Sequence, residues 1–147
     1  MKIDTKYHGE IHIEEKEIIT FANGIPGFLE EKCFVILPFG EDTSISIMQS
    51  VGNSQLAFVV TNPFFFFKEY DFNLDDQVIE QLHLESEKDI SVYVILTVKD
   101  PFEKTTANLQ APVVLNTKKQ LAKQVILTNT SYQTKHLIFE KGKVSAK

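Results

Sequence analysis

His8 and His12 flank Glu10 near the start of the chain, and this set of side chains could bind a metal ion. On a helix, residues four apart lie on one face and can share a divalent ion. The neighbouring residues alternate between apolar and polar, which is typical of a strand, where the two histidines would stand about 13 Å apart. We therefore expect exposed histidines, with a small metal-dependent enzyme using this face as an alternative.

Other residues suited to catalysis lack neighbours that would activate them. Cys33, the single cysteine, stands at the start of a predicted strand without an adjacent base, so we expect it to be a small core residue. Five glutamates could form a carboxylate pair or a cation site, but we expect a solvated acidic face; they are Glu14, Glu15, Glu17, Glu30 and Glu31. The sequence contains no nucleophile elbow, phosphate-binding loop or dinucleotide fingerprint. These observations predict a protein without enzymatic activity, metal or cofactor.

The segment TTANLQAPVVLN, residues 105–116, breaks the local pattern without offering catalytic chemistry. Asn108 and Asn116 bracket an apolar run, and Pro112 removes one ladder hydrogen bond at its entry. Polar amides beside a strand usually fix a turn or present a recognition surface. The segment therefore indicates that function lies in binding.

Four consecutive phenylalanines, residues 64–67, are the strongest compositional anomaly. In a strand, two of the rings would point to each side, and a one-sided sheet could bury only half of them. Two interpretations stay open. The segment crosses a barrel end and buries both faces under a helix, or one or two rings are exposed as anchors for a partner.

Charge is distributed unevenly along the chain. Residues 1–100 hold 7 lysines and 18 acids, a net charge of −11, whereas residues 101–147 hold 8 lysines and 2 acids, a net charge of +6. An acidic body favours basic protein partners. All 15 basic residues are lysines, and the absence of arginine and tryptophan argues against direct nucleic-acid binding. A nucleic-acid-binding β-barrel module is kept as a further alternative.

Length and local composition predict a single domain over residues 1–147, with the lysine-rich residues after about 140 as a flexible tail. The N-terminus does not resemble a secretory signal, and no apolar run approaches the length of a membrane span. One cysteine fits a reducing compartment. We expect a cytoplasmic location without membrane contact.

Period-two alternation dominates the chain and predicts many short strands. One helix is expected near residues 74–83, capped by Asn73, with an apolar stripe at helical spacing. We expect this helix to plug the end of the β-structure. The predicted fold class is all-β, a small antiparallel barrel or sandwich with one short helix. The strands are expected at residues 3–13 (a strand or hairpin), 18–21, 34–39, 46–51, 55–61, 90–98, 112–116, 121–127 and 136–139.

An ordered set of segments covers most of the chain. The segments are FANGIPGF (residues 21–28), FVILPF (34–39), MQS (48–50), AFVVTNP (57–63), the acidic region after Tyr70, TANLQAPVVLNT (106–117), KQVIL (123–127) and Tyr132. Taken together, these segments resemble the bacterial flagellar assembly factor family FliW. Two departures are the phenylalanine run and the pair Leu121–Ala122, where the family pattern has a glycine, which predicts a different turn.

The resemblance implies a small cytoplasmic β-barrel-like protein without enzymatic activity. It implies binding to flagellin and to the RNA-binding translational regulator CsrA in mutually exclusive complexes. Flagellin would sequester the factor, in the manner of a chaperone, until its export frees the factor to antagonise CsrA. For partner contact we select aromatic and amide side chains near turns, with acids beside them, on the expectation that they are exposed. They are Phe65, Phe67, Tyr70, Asn108 and Gln110, with Glu30 and Glu31 as electrostatic candidates.

Overall fold

The computed structural model describes residues 1–39, 42–128 and 130–139, with only the backbone described for residues 42 and 43. The expected lysine-rich tail after residue 140 lies outside the described residues. The fold is mostly β, as predicted, and α1 is the one α-helix in these ranges. The elements are β1 (Lys2–Asp4), β2 (Glu10–His12), β3 (Ile19–Phe21), β4 (Cys33–Phe39), β5 (Asp42–Ser50), β6 (Ala57–Thr61), α1 (Asp76–Gln81), β7 (Ile90–Thr97), β8 (Thr106–Ala107), β9 (Val113–Asn116), β10 (Leu121–Gln124) and β11 (His136–Leu137).

Seven of the described strands close into a barrel. Strands β3 to β7 pair with their sequence neighbours in antiparallel fashion, and β7 continues to β9 and then β10. The barrel closes where β10 pairs with β3, with Leu121 opposite Thr20. This last pairing is parallel, which the prediction of a purely antiparallel sheet did not include. Strands β8 and β11 extend the sheet outward from β7.

The barrel interior is filled by alternate residues of its strands. On β9, Val113 and Leu115 belong to the interior cluster, while Val114 belongs to a separate cluster on the outside. Burying alternate side chains on each face of a strand is the expected consequence of its two-residue period. The interior cluster contains Ile19, Phe21, Ile25, Phe34, Met48, Val60, Val113, Leu115 and Ala122.

Helix α1 covers the outside of the barrel. Val78 and Leu82 pack with Val114, whose side chain faces away from the interior. The prediction that the helix plugs the barrel end is therefore wrong. Its cap also differs, because the carboxylate of Asp75, rather than Asn73, accepts a 2.9 Å hydrogen bond from the Val78 amide.

Asn116 ties this outer layer to the barrel. Its buried side-chain amide donates to the carbonyls of Leu82 and His83 at the end of α1, at 2.8 and 3.2 Å. Its side-chain oxygen accepts from the amides of Lys118 and Lys119 and so fixes the β9–β10 turn. This turn ends on Gln120 with a φ of 56°, so a residue other than glycine occupies its left-handed position.

A hairpin of β1 and β2 covers another part of the barrel. Ile3 and Ile13 pack on Val35 and Leu37, the outward residues of β4. Gly9, expected as a possible bulge, lies instead in the loop between the two strands with a φ of 67°, where its carbonyl accepts from the Thr5 amide at 2.9 Å. The alternation in residues 3–13 thus marks a hairpin that adds a second layer.

Candidate functional site

The phenylalanine run turns away from the sheet directly after β6. The side chain of Asn62 accepts a 2.9 Å hydrogen bond from the Phe64 amide and caps a short 3-10 turn, Pro63–Phe65. The segment is therefore not a strand that crosses a barrel end. Phe64 and Phe65 are 43% and 56% exposed, whereas Phe66 and Phe67 are half-buried against another hydrophobic cluster, which includes Val94 and Leu96 of β7. Two rings are thus available at the surface, and two anchor the segment.

Phe65, Phe66 and Phe67 form one wall of a surface groove of about 980 Å³, which we call the aromatic groove. Residues 65–70 line it together with Leu109 and with Tyr132 and residues 135–137. The rings of Phe67 and His136 lie 6.2 Å apart between centroids, so the two segments are in contact. Lys68, Glu69 and Lys135 also line the groove, so charged side chains of both signs accompany its aromatic rings.

Tyr70 is a structural part of this groove. The prediction that it is an exposed contact residue is wrong, because its side chain is only 5% exposed. Its hydroxyl donates a 2.7 Å hydrogen bond to the Leu109 carbonyl, and its ring lies 4.7 Å from that of Tyr132. Burial, followed by the nearby Tyr132 hydroxyl, raises the pKa of Tyr70. The phenol therefore remains a neutral donor at physiological pH.

Asn108 and Gln110 flank Leu109 and build the backbone beside the groove. The side-chain oxygen of Asn108 accepts from the amides of Gln110 and Ala111 at 3.1 Å each. Both Asn108 and Gln110 are half-buried, and the Gln110 amide also lies 3.2 Å from the Gln133 carbonyl. The structure therefore brings Phe65, Phe67 and Tyr70 together in one groove, with the two amides beside it.

Glu30 and Glu31 lie outside the aromatic groove, because neither side chain lines it. Glu30 is exposed, while the carboxylate of Glu31 accepts a 2.9 Å hydrogen bond from the Ser50 hydroxyl at the end of β5. The exposed carboxylate of Glu30 is therefore available to attract a basic partner, whereas the carboxylate of Glu31 also stabilises the local fold through its hydrogen bond to Ser50.

The turn before these acids depends on Gly24. Its φ is 70°, and a Cβ at this position would lie 2.3 Å from the Leu29 carbonyl oxygen. That separation excludes any larger residue without a shift of the backbone. Gly27 has a φ of 89° but faces open space. The motif FANGIPGF thus combines one glycine required by close packing with another required only by conformation.

Three residues of the aromatic groove were not predicted from the sequence: Tyr132, His136 and Leu137. They follow the phenylalanines by more than 60 residues, and the amino-acid pattern carries no signal of that pairing. Tyr132 occurs among the segments that resemble the family, but nothing in that match indicates its contact with Tyr70. The two sides of the groove meet where β11 pairs with β8 at the margin of the sheet, and the Asp71 amide also donates a 3.0 Å hydrogen bond to the Tyr132 hydroxyl.

Residues considered for catalysis or metal binding do not converge. In the described part of the chain, no group of three or more His, Cys, Asp or Glu side chains could hold a metal ion. The ring Nε2 of His8 lies 2.8 Å from the Pro38 carbonyl, and His12 is exposed. Cys33 is also exposed, so its expected place in the core is wrong; the residues of β1 and β2 pack farther along β4, on Val35 and Leu37. Within the described ranges no helix is long and apolar enough to cross a membrane.

Comparisons with known proteins agree along nearly the whole chain. The family model described as FliW protein matches residues 2–138. The flagellar assembly factor FliW of Geobacillus kaustophilus (strain HTA426) is 60% identical over 139 residues, which cover 95% of this chain and 96% of the relative. The protein of the same name from Bacillus subtilis (strain 168) is 54% identical over 138 residues, with 94% and 96% covered. A crystal structure of the flagellar assembly factor FliW, 56% identical, aligns with a TM-score of 0.91 over 96% of this chain and 99% of that chain. The sequence, the barrel and these relatives agree, and the chain belongs to the FliW family.

Proposed function

We propose that this protein is a flagellar assembly factor that works by binding other proteins and has no enzymatic activity. The name carried by relatives that are 54–60% identical supports the first part. The aromatic groove supports the second, because exposed aromatic rings beside charged side chains are typical of protein-binding surfaces.

The proposed partners are flagellin and the translational regulator CsrA. Flagellin would occupy the factor until it is exported, and the freed factor would then bind CsrA and relieve repression of flagellin synthesis. The net charge of −11 on residues 1–100 supports a basic partner, and CsrA must be basic where it binds RNA. CsrA acts where translation occurs, and flagellin is made there before its export, so the proposed location is the cytoplasm.

The observation that carries this proposal is the exposed pair Phe64 and Phe65 beside the aromatic groove. Large apolar rings held by a capped turn lose little conformational freedom on binding, so they are suited to act as anchors. Phe65 and Phe67 are the contact residues that we propose from the sequence selection. Glu30 is proposed to steer the approach of CsrA.

The test uses purified protein, flagellin and CsrA in pairs and in a three-way mixture. Gel filtration of the mixture should yield two binary complexes, with added flagellin displacing CsrA. Failure to bind either partner at about 10 µM would overturn the proposal. A ternary complex would contradict mutual exclusion, and salt-sensitive binding of an oligonucleotide would instead favour the nucleic-acid module.

A further inference from the structure

Tyr70 also lines a second groove, of about 600 Å³, between the α1 region and the start of β7. Besides Tyr70, its apolar lining comes from Phe64, Phe72, Leu74, Ile79, Leu84, Ile90 and Val92. Phe64 and Ile79 are 43% and 37% exposed, and the other five are half-buried. An opening with this much apolar surface can take up apolar side chains from a partner.

The rim of this groove is acidic. Asp71, Glu85 and Glu87 line it with exposed side chains, and none of the described lining residues is a lysine. We call it the acidic groove. Glu85 lies 3.9 Å from the Lys118 ammonium, but both side chains are largely exposed, so solvent screens this pair and leaves the carboxylate available.

The surrounding sequence strengthens the negative field. Residues 69–90 hold eight acids and one lysine, a net charge of −7. By contrast, the aromatic groove is lined by Lys68 and Lys135 beside a single acid, Glu69. Two grooves that share Tyr70 therefore differ in charge, and the acidic rim is specific to one of them.

We infer that the acidic groove is a docking site for a peptide segment whose apolar side chains are flanked by lysine or arginine. Its apolar lining provides the burial that stabilises such a complex, and its carboxylates select and steer the basic flanks. Nucleic acid and anionic lipid are repelled by the same charge. The proposed ligand is defined by these apolar and basic side chains, whichever protein carries them.

The probe is a fluorescein-labelled synthetic peptide of about 12 residues, with leucine and phenylalanine at i, i+3, i+4 and i+7 and lysine elsewhere. One comparison peptide has glutamate for every lysine, and another has serine for every apolar residue. Fluorescence anisotropy should give a Kd of about 10–100 µM for the first peptide at low salt, and no measurable binding for the other two. Equal binding of the basic and acidic peptides would overturn the inference, as would no binding of the basic one.

Variants locate the site. Glu85→Lys with Glu87→Lys should weaken binding of the basic peptide about tenfold or more, and Ile79→Ser should also weaken it while retaining a salt dependence. The matched control is Glu15→Lys with Glu103→Lys, which makes the same change in net charge at exposed residues that do not line the groove. Equal loss in the control would mean a general charge effect and overturn the site. A dimer in light scattering that Ile79→Ser dissociates would assign the groove to a second copy and also overturn it.

Discussion

The hydroxyl of Tyr70 donates a 2.7 Å hydrogen bond to the main-chain carbonyl of Leu109, 39 residues further along the chain. The bond joins the segment after the phenylalanines to the segment that carries Asn108 and Gln110. Because Tyr70 lines both the aromatic groove and the acidic groove, a single buried phenol supports two neighbouring surfaces. Removal of this hydroxyl should therefore lower the free energy of unfolding rather than remove a direct contact with a partner.

Replacing Tyr70 with phenylalanine keeps the ring and removes only this hydrogen bond. The Leu109 carbonyl then loses a buried donor, and the free energy of unfolding should fall by about 1–2 kcal/mol. Urea denaturation followed by circular dichroism measures the change. Tyr7→Phe is the control, since Tyr7 is exposed, and it should leave the midpoint unchanged. A Tyr70→Phe midpoint equal to the wild type would contradict this role.

The same phenol predicts a loss of stability in alkali. Burial raises the pKa of Tyr70 above its ordinary value of 10.0, and burial also raises the pKa of Tyr93. Above about pH 10 the unfolded chain releases these protons while the folded chain retains them, so stability falls as pH rises. Unfolding measured from pH 8 to 11 should show the wild type losing its advantage over Tyr70→Phe above about pH 10. An advantage that grew with pH would contradict the assignment.

Phe65→Ser tests the exposed aromatic anchor. Because the ring is more than half exposed, its loss should change the free energy of unfolding by about 0.5 kcal/mol or less. Binding to flagellin should weaken about tenfold or more, as is typical of an aromatic hot spot. Isothermal titration calorimetry compares this variant with Ile126→Ser, whose side chain is similarly exposed at 55% and lines neither groove. Equal affinities of the two variants would exclude Phe65 as an anchor.

Glu30→Lys tests the electrostatic steering of CsrA. The side chain is exposed, so reversal of its charge should slow association at low salt and leave the dissociation rate nearly unchanged. Surface plasmon resonance at two salt concentrations separates the two rates. Glu31 is best changed to glutamine, because its carboxylate accepts the Ser50 hydroxyl and a lysine there would also disturb the fold. An unchanged association rate for Glu30→Lys would remove this acid from the encounter.

Gly24→Ala and Gly27→Ala form a matched pair in one turn. Both positions have positive φ, which costs a residue with a side chain about 1–2 kcal/mol. Gly24→Ala also places a methyl group 2.3 Å from the Leu29 carbonyl oxygen, so it should destabilise the fold by several kcal/mol or prevent folding. Thermal unfolding ranks the two. A Gly27→Ala protein that is less stable than Gly24→Ala would contradict the packing argument.

Local signals in the sequence were sufficient for most of the strands, though not for β8, and for the existence of the helix. Alternation identified β4 to β7 within a few residues, because one side of each strand faces the barrel interior. The position of α1 was not accessible in the same way. Its apolar stripe must be buried, but the stripe fits the outer face of β9 as well as a barrel end. The helix packs on the outer face because the side chain of Val114 points away from the barrel interior.

The candidate site was predicted less completely. Phe65, Phe67 and Tyr70 all line the aromatic groove, but Tyr70, chosen by residue type and position near a turn, is buried rather than exposed. Residue type alone does not distinguish an exposed tyrosine from a buried one. Tyr70 can be buried because its hydroxyl donates to the carbonyl of Leu109, which is distant in sequence. Contacts with Tyr132 and His136 were inaccessible for the same reason.

The parallel pairing of β10 with β3 also constrains the protein during synthesis. The side chain of Gln120 donates to the carbonyl of Lys16, 104 residues earlier, so the ring of strands closes only when the last fifth of the chain is available. A chain leaves the ribosome from its N-terminus. The edge of β3 that pairs with β10 therefore stays unpaired with that strand while most of the protein is made. The wall of the aromatic groove formed by Tyr132 and residues 135–137 arrives later still. A nascent chain consequently cannot complete the aromatic groove until nearly all of the protein has been made, whereas all residues that line the acidic groove precede β8.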